Sequence, residues 1–192
     1  MQFDNNTPLC TATFKLFDKL KESILSQYPT LTAGYVKAYI FGGTAMHFYT
    51  HERYSHDVDT GFNVSQLNID TDIVVYYENG KSRTSLVLDT NFNVELGLIH
   101  PDYRENAIPL QEKPDSPLWL YLASPVDLAV SKIARFADVD KQDISLLAER
   151  KLITLREFTM CVDEALLYYA VNNVWLKYNI EDAKKLIFKA SE

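Results

Sequence analysis

Phe41-Gly42-Gly43-Thr44-Ala45 and, after a short helical stretch, Ser55-His56-Asp57-Val58-Asp59 are the two segments on which the reading of this chain turns. A β-branched and aromatic run, Val36 to Phe41, leads into the first segment, and Thr44 to Glu52 reads as a helix, so the order is strand, glycine turn, helix. Two adjacent glycines at such a junction let the backbone pass close to a ligand, and the N–H groups that open the helix then face an anion such as a phosphate. Gly42-Gly43 alone would serve equally well as a plain tight turn. Val58 to Phe62 reads as the next strand. Because strand side chains alternate, Asp57 and Asp59 point to one face and His56 to the other. Two carboxylates on one face repel unless a cation joins them, and hard oxygen ligands at this spacing suit Mg²⁺ or Mn²⁺ bridging to substrate phosphates.

Outward from this centre, glycine and proline divide the chain. All six glycines lie between Gly34 and Gly97, and five of the seven prolines between Pro101 and Pro125. That distribution predicts a turn-rich α/β part, a Pro-rich connection and an uninterrupted helical part. The fold class is therefore α/β: a mixed-sheet core over residues 1–118 with an N-terminal helix, followed by a helical module over 119–192. Thr7-Pro8 caps the N-terminal helix, which carries Phe14, Phe17, Leu20, Ile24 and Leu25 at helical spacing and ends by Tyr28-Pro29. Ile73 to Tyr77 and Thr84 to Leu88 flank Glu78-Asn79-Gly80-Lys81, a hairpin centred on Asn-Gly, and Phe92 to Ile99 reads as a further strand. Four helices follow the prolines, one opened by Ser124-Pro125, one by the capping box Thr154 to Glu157, and one by a weaker box, Asn179 to Asp182.

Composition narrows the function classes. Of 192 residues 47% are apolar and 23% charged, which excludes a disordered chain, and the net charge of −7 argues against holding duplex nucleic acid by charge alone. A nucleotide or RNA end held through a divalent metal stays compatible with that balance. No apolar run reaches the roughly 18 residues of a membrane span, so no membrane partner and a cytoplasmic location are expected. Cys10 and Cys161, far apart in apolar helical surroundings, read as reduced, buried thiols.

The Gly-Gly-Thr turn, a helix of about ten residues and then Ser-x-Asp-x-Asp on a strand resemble the nucleotidyltransferase superfamily, the fold of DNA polymerase beta. The resemblance implies a phosphate-binding turn at Gly42, Gly43 and Thr44 beside Ser55, and metal-holding carboxylates at Asp57 and Asp59. It also implies a third carboxylate on a later strand, Glu95 in Phe92-Asn93-Val94-Glu95-Leu96-Gly97. A second stretch, Leu122 to Arg135 with Asp140-Lys141-Gln142-Asp143 and Arg150 to Thr154, looks like the C-terminal half of AbiEii-type toxin nucleotidyltransferases of abortive-infection and toxin–antitoxin systems. Val139 stands where many relatives carry a basic residue.

The implied activity is Mg²⁺-dependent (or Mn²⁺-dependent) two-metal transfer of an NMP group from an NTP to a hydroxyl of an RNA end, a protein side chain or a small molecule, with an antitoxin as a further partner. Asp57, Asp59 and Glu95 would be catalytic, Lys132 and Arg135 would bring positive charge to the triphosphate, and Asp143 would orient Lys132. The rival reading is a non-catalytic relative that binds nucleotide or a partner protein. His47 and His51 have zinc-ligand spacing but lack a third ligand and read as surface or packing histidines, and Leu166 to Trp175, with Tyr168 and Tyr169, reads as helix-packing core rather than a base-stacking platform. Asp140 and Asp143 would also complement a helix dipole.

Overall fold

The computed structural model describes residues 5–65, 72–80, 82–89, 97–171 and 174–191. These contain six strands and seven helices, α1 Pro8–Gln27, β1 Val36–Ile40, α2 Gly42–Thr50, β2 Asp57–Phe62, β3 Val74–Asn79, β4 Ser82–Asp89, α3 Tyr103–Asn106, β5 Ile108–Gln111, β6 Leu118–Leu122, α4 Pro125–Ser131, α5 Asp138–Glu149, α6 Leu155–Leu166 and α7 Leu176–Ala190. They fall into two compact units, Met1–Phe92 with Ala107–Leu122, and Asn93–Asn106 with Ala123–Glu192. The first unit thus takes in residues beyond the division at 118, and the second takes in a segment from before it.

The first unit is a mixed sheet in the order β3-β4-β2-β1-β6-β5. β1 is antiparallel to β2 and parallel to β6, β2 is parallel to β4, and β3-β4 and β5-β6 are antiparallel pairs. The Pro-rich stretch is therefore not only a connection, because it supplies two strands. Pro109 is tolerated in β5 because that strand lies at the sheet edge, beside a register irregularity between Pro109 and Gln111. Leu118, Leu120, Tyr121 and Leu122 bury β6 against its neighbours, an almost continuous apolar run of the kind a central parallel strand requires.

The hairpin closes one residue later than Asn79-Gly80 suggests. Asn79 pairs with Ser82, and Gly80 takes the positive φ of +63° in the turn. β3 and β4 then alternate strictly: Val75, Tyr77, Leu86 and Leu88 are buried, while Val74, Tyr76, Glu78, Arg83 and Val87 are exposed. α1 lies against both strands. It buries Leu9, Leu16, Phe17, Leu20 and Ile24, starts with Thr7 Oγ1 accepting the Cys10 N–H, and ends at Tyr28 as its spacing predicts. The proposed strand Phe92–Ile99 falls mainly outside the described residues, and Gly97–Ile99 is not a strand.

In the second unit α5 packs on α7, α4 on α6, and α6 on α7. Ser124 caps α4, its Oγ accepting the Asp127 N–H at 3.2 Å, and Thr154 and Glu157 form the expected capping box of α6. Asn179 opens nothing. α7 begins three residues earlier at Leu176, and the Asn179 amide donates to the Ile133 carbonyl at 3.0 Å. The packing assignment of Leu166 to Trp175 also fails: α6 buries the stripe Phe158, Cys161, Val162 and Ala165, which leaves Leu167, Tyr168 and Trp175 exposed. No helix among the described residues is long and apolar enough to cross a membrane.

Candidate functional site

The site grows from the end of β1. Phe41 continues the strand with extended φ and ψ, is fully buried, and donates its N–H to the Asp59 carbonyl at 2.9 Å, which brings β2 alongside the turn. The chain then reverses at Gly42, whose φ of +61° is a left-handed conformation that L side chains rarely adopt. A Cβ on Gly42 would stand 1.6 Å from Asp59 Oδ2 and 2.7 Å from its Cγ. The Asp59 carboxylate therefore lies directly on the Gly42 backbone, at the opening of a helix whose N-cap residue, Phe41, makes no side-chain capping bond. A Cβ on Gly43 would stand 3.1 Å from Ser55 Oγ.

Three hydrogen bonds fix the neighbouring groups. Ser55 Oγ donates to Asp57 Oδ1 at 2.8 Å, Thr44 Oγ1 donates to the Asp57 carbonyl at 2.8 Å, and the buried Tyr77 hydroxyl donates to the Ser55 carbonyl at 2.8 Å. Burial holds the Tyr77 hydroxyl above its ordinary pKa, so it stays a donor. Gly42, Gly43, Thr44, Ser55, Asp57 and Asp59 are thus assembled in the sheet-bearing unit, with both carboxylates half-buried. Backbone N–H groups at a helix start favour negative charge, and a pair of carboxylates favours a cation. Hard oxygen donors beside a cradle that only glycine permits are a donor set that fits a divalent ion and the phosphates it carries.

Glu95 lies outside the described residues. The sheet register brings forward another acid: Asp89, at the end of β4, is the partner of Asp59 in the parallel β2-β4 ladder, and Asp57 pairs with Val87. Residues paired across a ladder share a face, so Asp57, Asp59, Val87 and Asp89 do so. Among the described residues no three His, Cys, Asp or Glu side chains are gathered closely enough to hold a metal. The signal of Asp89 is pairing rather than local sequence: β4 is legible as half of a hairpin with β3, but its other edge meets β2, which local sequence does not reveal.

Lys132, Arg135, Asp140 and Asp143 belong to the helical unit and form one ion-pair network. Lys132 Nζ is buried, 2.7 Å from Asp143 Oδ2 and 3.9 Å from Asp140 Oδ1. The Arg135 fork reaches both Asp140 oxygens at 2.8 and 2.7 Å, and Asp140 also accepts the Ala137 N–H at 2.9 Å. Burial would raise the Asp140 pKa, but these bonds and the charges of Lys132 and Arg135 outweigh it and hold the carboxyl below its ordinary value. Nearby, burial raises Asp127, whose Oδ2 accepts from Ser124 at 2.5 Å. Burial and the Asp127 charge also push the Cys161 thiol well up, so it is inert rather than nucleophilic. Cys10 and Cys161 are both buried thiols outside any disulfide. His47 is a packing histidine: it is buried, its Nε2 pairs with Thr7 Oγ1 at 2.8 Å, its Nδ1 meets the Arg53 carbonyl, and desolvation lowers its pKa. His51 and His56 are exposed.

A mixed sheet whose glycine turn opens a helix against an Asp-x-Asp strand defines a protein of the nucleotidyltransferase class. The family model described as "Nucleotidyltransferase of unknown function (DUF6036)" matches residues 14–186, and the chain belongs to that family. The match supports the superfamily resemblance and does not extend to the AbiEii-type toxins. Neither the curated proteins nor the solved structures compared with the chain gave a match.

Proposed function

We propose that this chain is a metal-dependent nucleotidyltransferase that moves the NMP group of an NTP to an acceptor hydroxyl. The observation that carries the reading is the seating of the Asp59 carboxylate on Gly42, with Asp57 tied to Ser55 and Thr44 beside it. The N–H groups of Gly42, Gly43 and Thr44 bind the β and γ phosphates. Asp57 and Asp59 would hold Mg²⁺ or Mn²⁺, joined by a third carboxylate, for which Glu95 follows from the sequence resemblance and Asp89 from its pairing with Asp59. When bound, the metal offsets negative charge on the attacking and leaving oxygens. Ser55 orients Asp57 through its hydrogen bond. The acceptor oxygen forms its bond to the α phosphorus as the bond to the β-phosphate oxygen breaks, pyrophosphate leaves, and a site carboxylate takes the hydroxyl proton.

Lys132 and Arg135 are already engaged by Asp143 and Asp140, which supports a role within the helical unit and leaves the triphosphate to the glycine turn and the metal. The toxin role and its antitoxin partner rest on the AbiEii-type resemblance. Growth arrest on expression, relieved by Asp57→Ala with Asp59→Ala, is its expected signature.

The decisive experiment incubates the protein with each α-labelled NTP, Mg²⁺ and RNA, protein or small-molecule acceptors. Transfer is expected to vanish in the Asp57→Ala, Asp59→Ala double variant and to fall strongly in either Asp89→Ala or Glu95→Ala, whichever supplies the third carboxylate. Transfer unchanged by the double substitution overturns the assignment. NTP binding without transfer to any acceptor favours the non-catalytic reading.

A further inference from the structure

The sheet face that bears the carboxylates continues sideways onto β4 and β3. Val87 pairs with Asp57 on one side and with Val74 on the other, so Asp57, Val87 and Val74 form a single row across three strands. The next row outward on the same face holds Ser85 and Tyr76, and the one after it Arg83 and Glu78. The opposite face carries the buried Val75, Tyr77, Leu86 and Leu88. This outer face sets exposed apolar and aromatic side chains among its polar ones: Val74, Val87 and Tyr76 are 40%, 36% and 54% exposed. The Arg83 guanidinium lies over the Tyr76 ring, 4.4 Å from its centroid.

Topology assigns this surface to one side of the reaction. β2, carrying Asp57 and Asp59, lies between β1 and β4. The glycine turn follows β1, so the phosphate cradle is on one flank of the carboxylates and the Val87-Val74-Tyr76 surface on the other. In-line displacement sets the attacking and leaving oxygens on opposite sides of the phosphorus. With pyrophosphate leaving toward the cradle, the acceptor hydroxyl arrives from the β4 flank.

We infer that Tyr76 and Arg83 form a stacking platform for a nucleobase of the acceptor, which makes the acceptor the end of a single-stranded nucleic acid. The inference rests on the transferase reading above. Val87 and Val74 give apolar contact to the terminal nucleotide nearest Asp57. Tyr76, about 12 Å from Asp57 by two strand spacings across and two residues along, presents a flat ring to a neighbouring base. Arg83 extends the platform and meets a backbone phosphate, since a guanidinium both stacks and forms paired hydrogen bonds to phosphate. Among the described residues of β3 and β4 Arg83 is the cation on this face, which suits a short terminal contact and is in keeping with the acidic net charge of −7.

The test uses the full chain and end-labelled single-stranded RNA of four to six nucleotides, read by fluorescence anisotropy, with a fluorescent ATP analogue and Mg²⁺ titrated in parallel. Tyr76→Ala is expected to weaken RNA binding about 5- to 150-fold, the range for loss of one aromatic stack, and Tyr76→Trp to restore it. Arg83→Ala is expected to weaken RNA binding and reduce its salt dependence. Nucleotide binding is expected to be unchanged in all three. RNA binding that is absent, or indifferent to Tyr76→Ala, overturns the inference. So does exclusive labelling of a protein acceptor. Loss of the nucleotide signal in the wild-type chain instead refutes the transferase reading, so the two failures are told apart.

Discussion

Gly42→Ala is the most searching substitution in this fold. The added methyl would stand 1.6 Å from Asp59 Oδ2, while ordinary contact begins near 3.4 Å, so the carboxylate has to move by more than 1.5 Å or the turn has to shift. Holding alanine at φ +61° costs about 1–2 kcal/mol, and forcing Asp59 away from its rotamer adds about 0.5–1.5 kcal/mol. The expected loss of stability is about 2–3 kcal/mol, measured as a fall in the urea midpoint at unchanged m-value. The expected loss of transfer activity is on the order of 100-fold or more, because a reacting group misplaced by about 1 Å costs that much. Gly43→Ala is the control: its methyl would be 3.1 Å from Ser55 Oγ, a contact relieved by a small shift, so stability is expected to stay within about 1 kcal/mol of wild type. In the Asp59→Ala background the clash with Oδ2 and Cγ is gone while the 3.2 Å approach to Cβ remains, so Gly42→Ala is expected to cost less there than in the wild type, near the about 1–2 kcal/mol of backbone strain. A Gly42→Ala protein as stable and as active as the parent, or a Gly42→Ala cost undiminished in the Asp59→Ala background, refutes this account of the turn.

Four further outcomes are expected elsewhere in the molecule. Asp143→Ala removes the 2.7 Å partner of the buried Lys132 ammonium and leaves, among the described residues, Asp140 at 3.9 Å, and is expected to cost about 3 kcal/mol in denaturant unfolding. His47 is held below its ordinary pKa chiefly by burial, so the unfolded chain takes up a proton near pH 6.5 that the folded chain refuses; the melting temperature should fall as pH drops from 7.5 to 5.5, and fall less in His47→Gln. Asp127, whose pKa is raised, contributes with the opposite sign, losing stability as pH rises above 3.8. Cys10 and Cys161 should resist an aromatic disulfide reagent at pH 8 in the native protein and react fully in denaturant, and rapid native labelling of Cys161 would contradict its burial and its raised pKa.

Much of the site was legible because its signals are local. The period-two spacing of Asp57 and Asp59, the paired glycines and the Ser55 hydroxyl lie within 18 consecutive residues, and the sheet brings them together by joining β1 directly to β2. Thr7-Pro8 and Thr154 to Glu157 were legible for the same reason, since caps act within one helical turn. The misses are non-local. β6 reads as the tail of a Pro-rich link until β1 is found beside it, and Asp89 becomes notable only when β4 is known to pair with β2. Asn179 has the spacing of a cap but forms its bond to Ile133, 46 residues away. The Leu166 to Trp175 segment has the composition of a core, yet the α6 stripe that faces its neighbours ends at Ala165.

The parallel pairing of β1 with β6 has a consequence for how the molecule is made. Val36 finds its partner in Leu118, 82 positions later, and every residue of the glycine turn and the Asp-x-Asp strand is synthesised before that partner exists. As it leaves the ribosome, the nascent chain carries Val36, Ala38, Tyr39 and Ile40 with one strand edge unanswered, and that edge invites pairing with other chains. Closing a contact so distant is entropically slow. A fragment ending near residue 115 would hold Asp57, Asp59, Asp89 and Glu95 and still lack the strand that fixes β1, so the smallest folding unit that carries the site extends through Leu122.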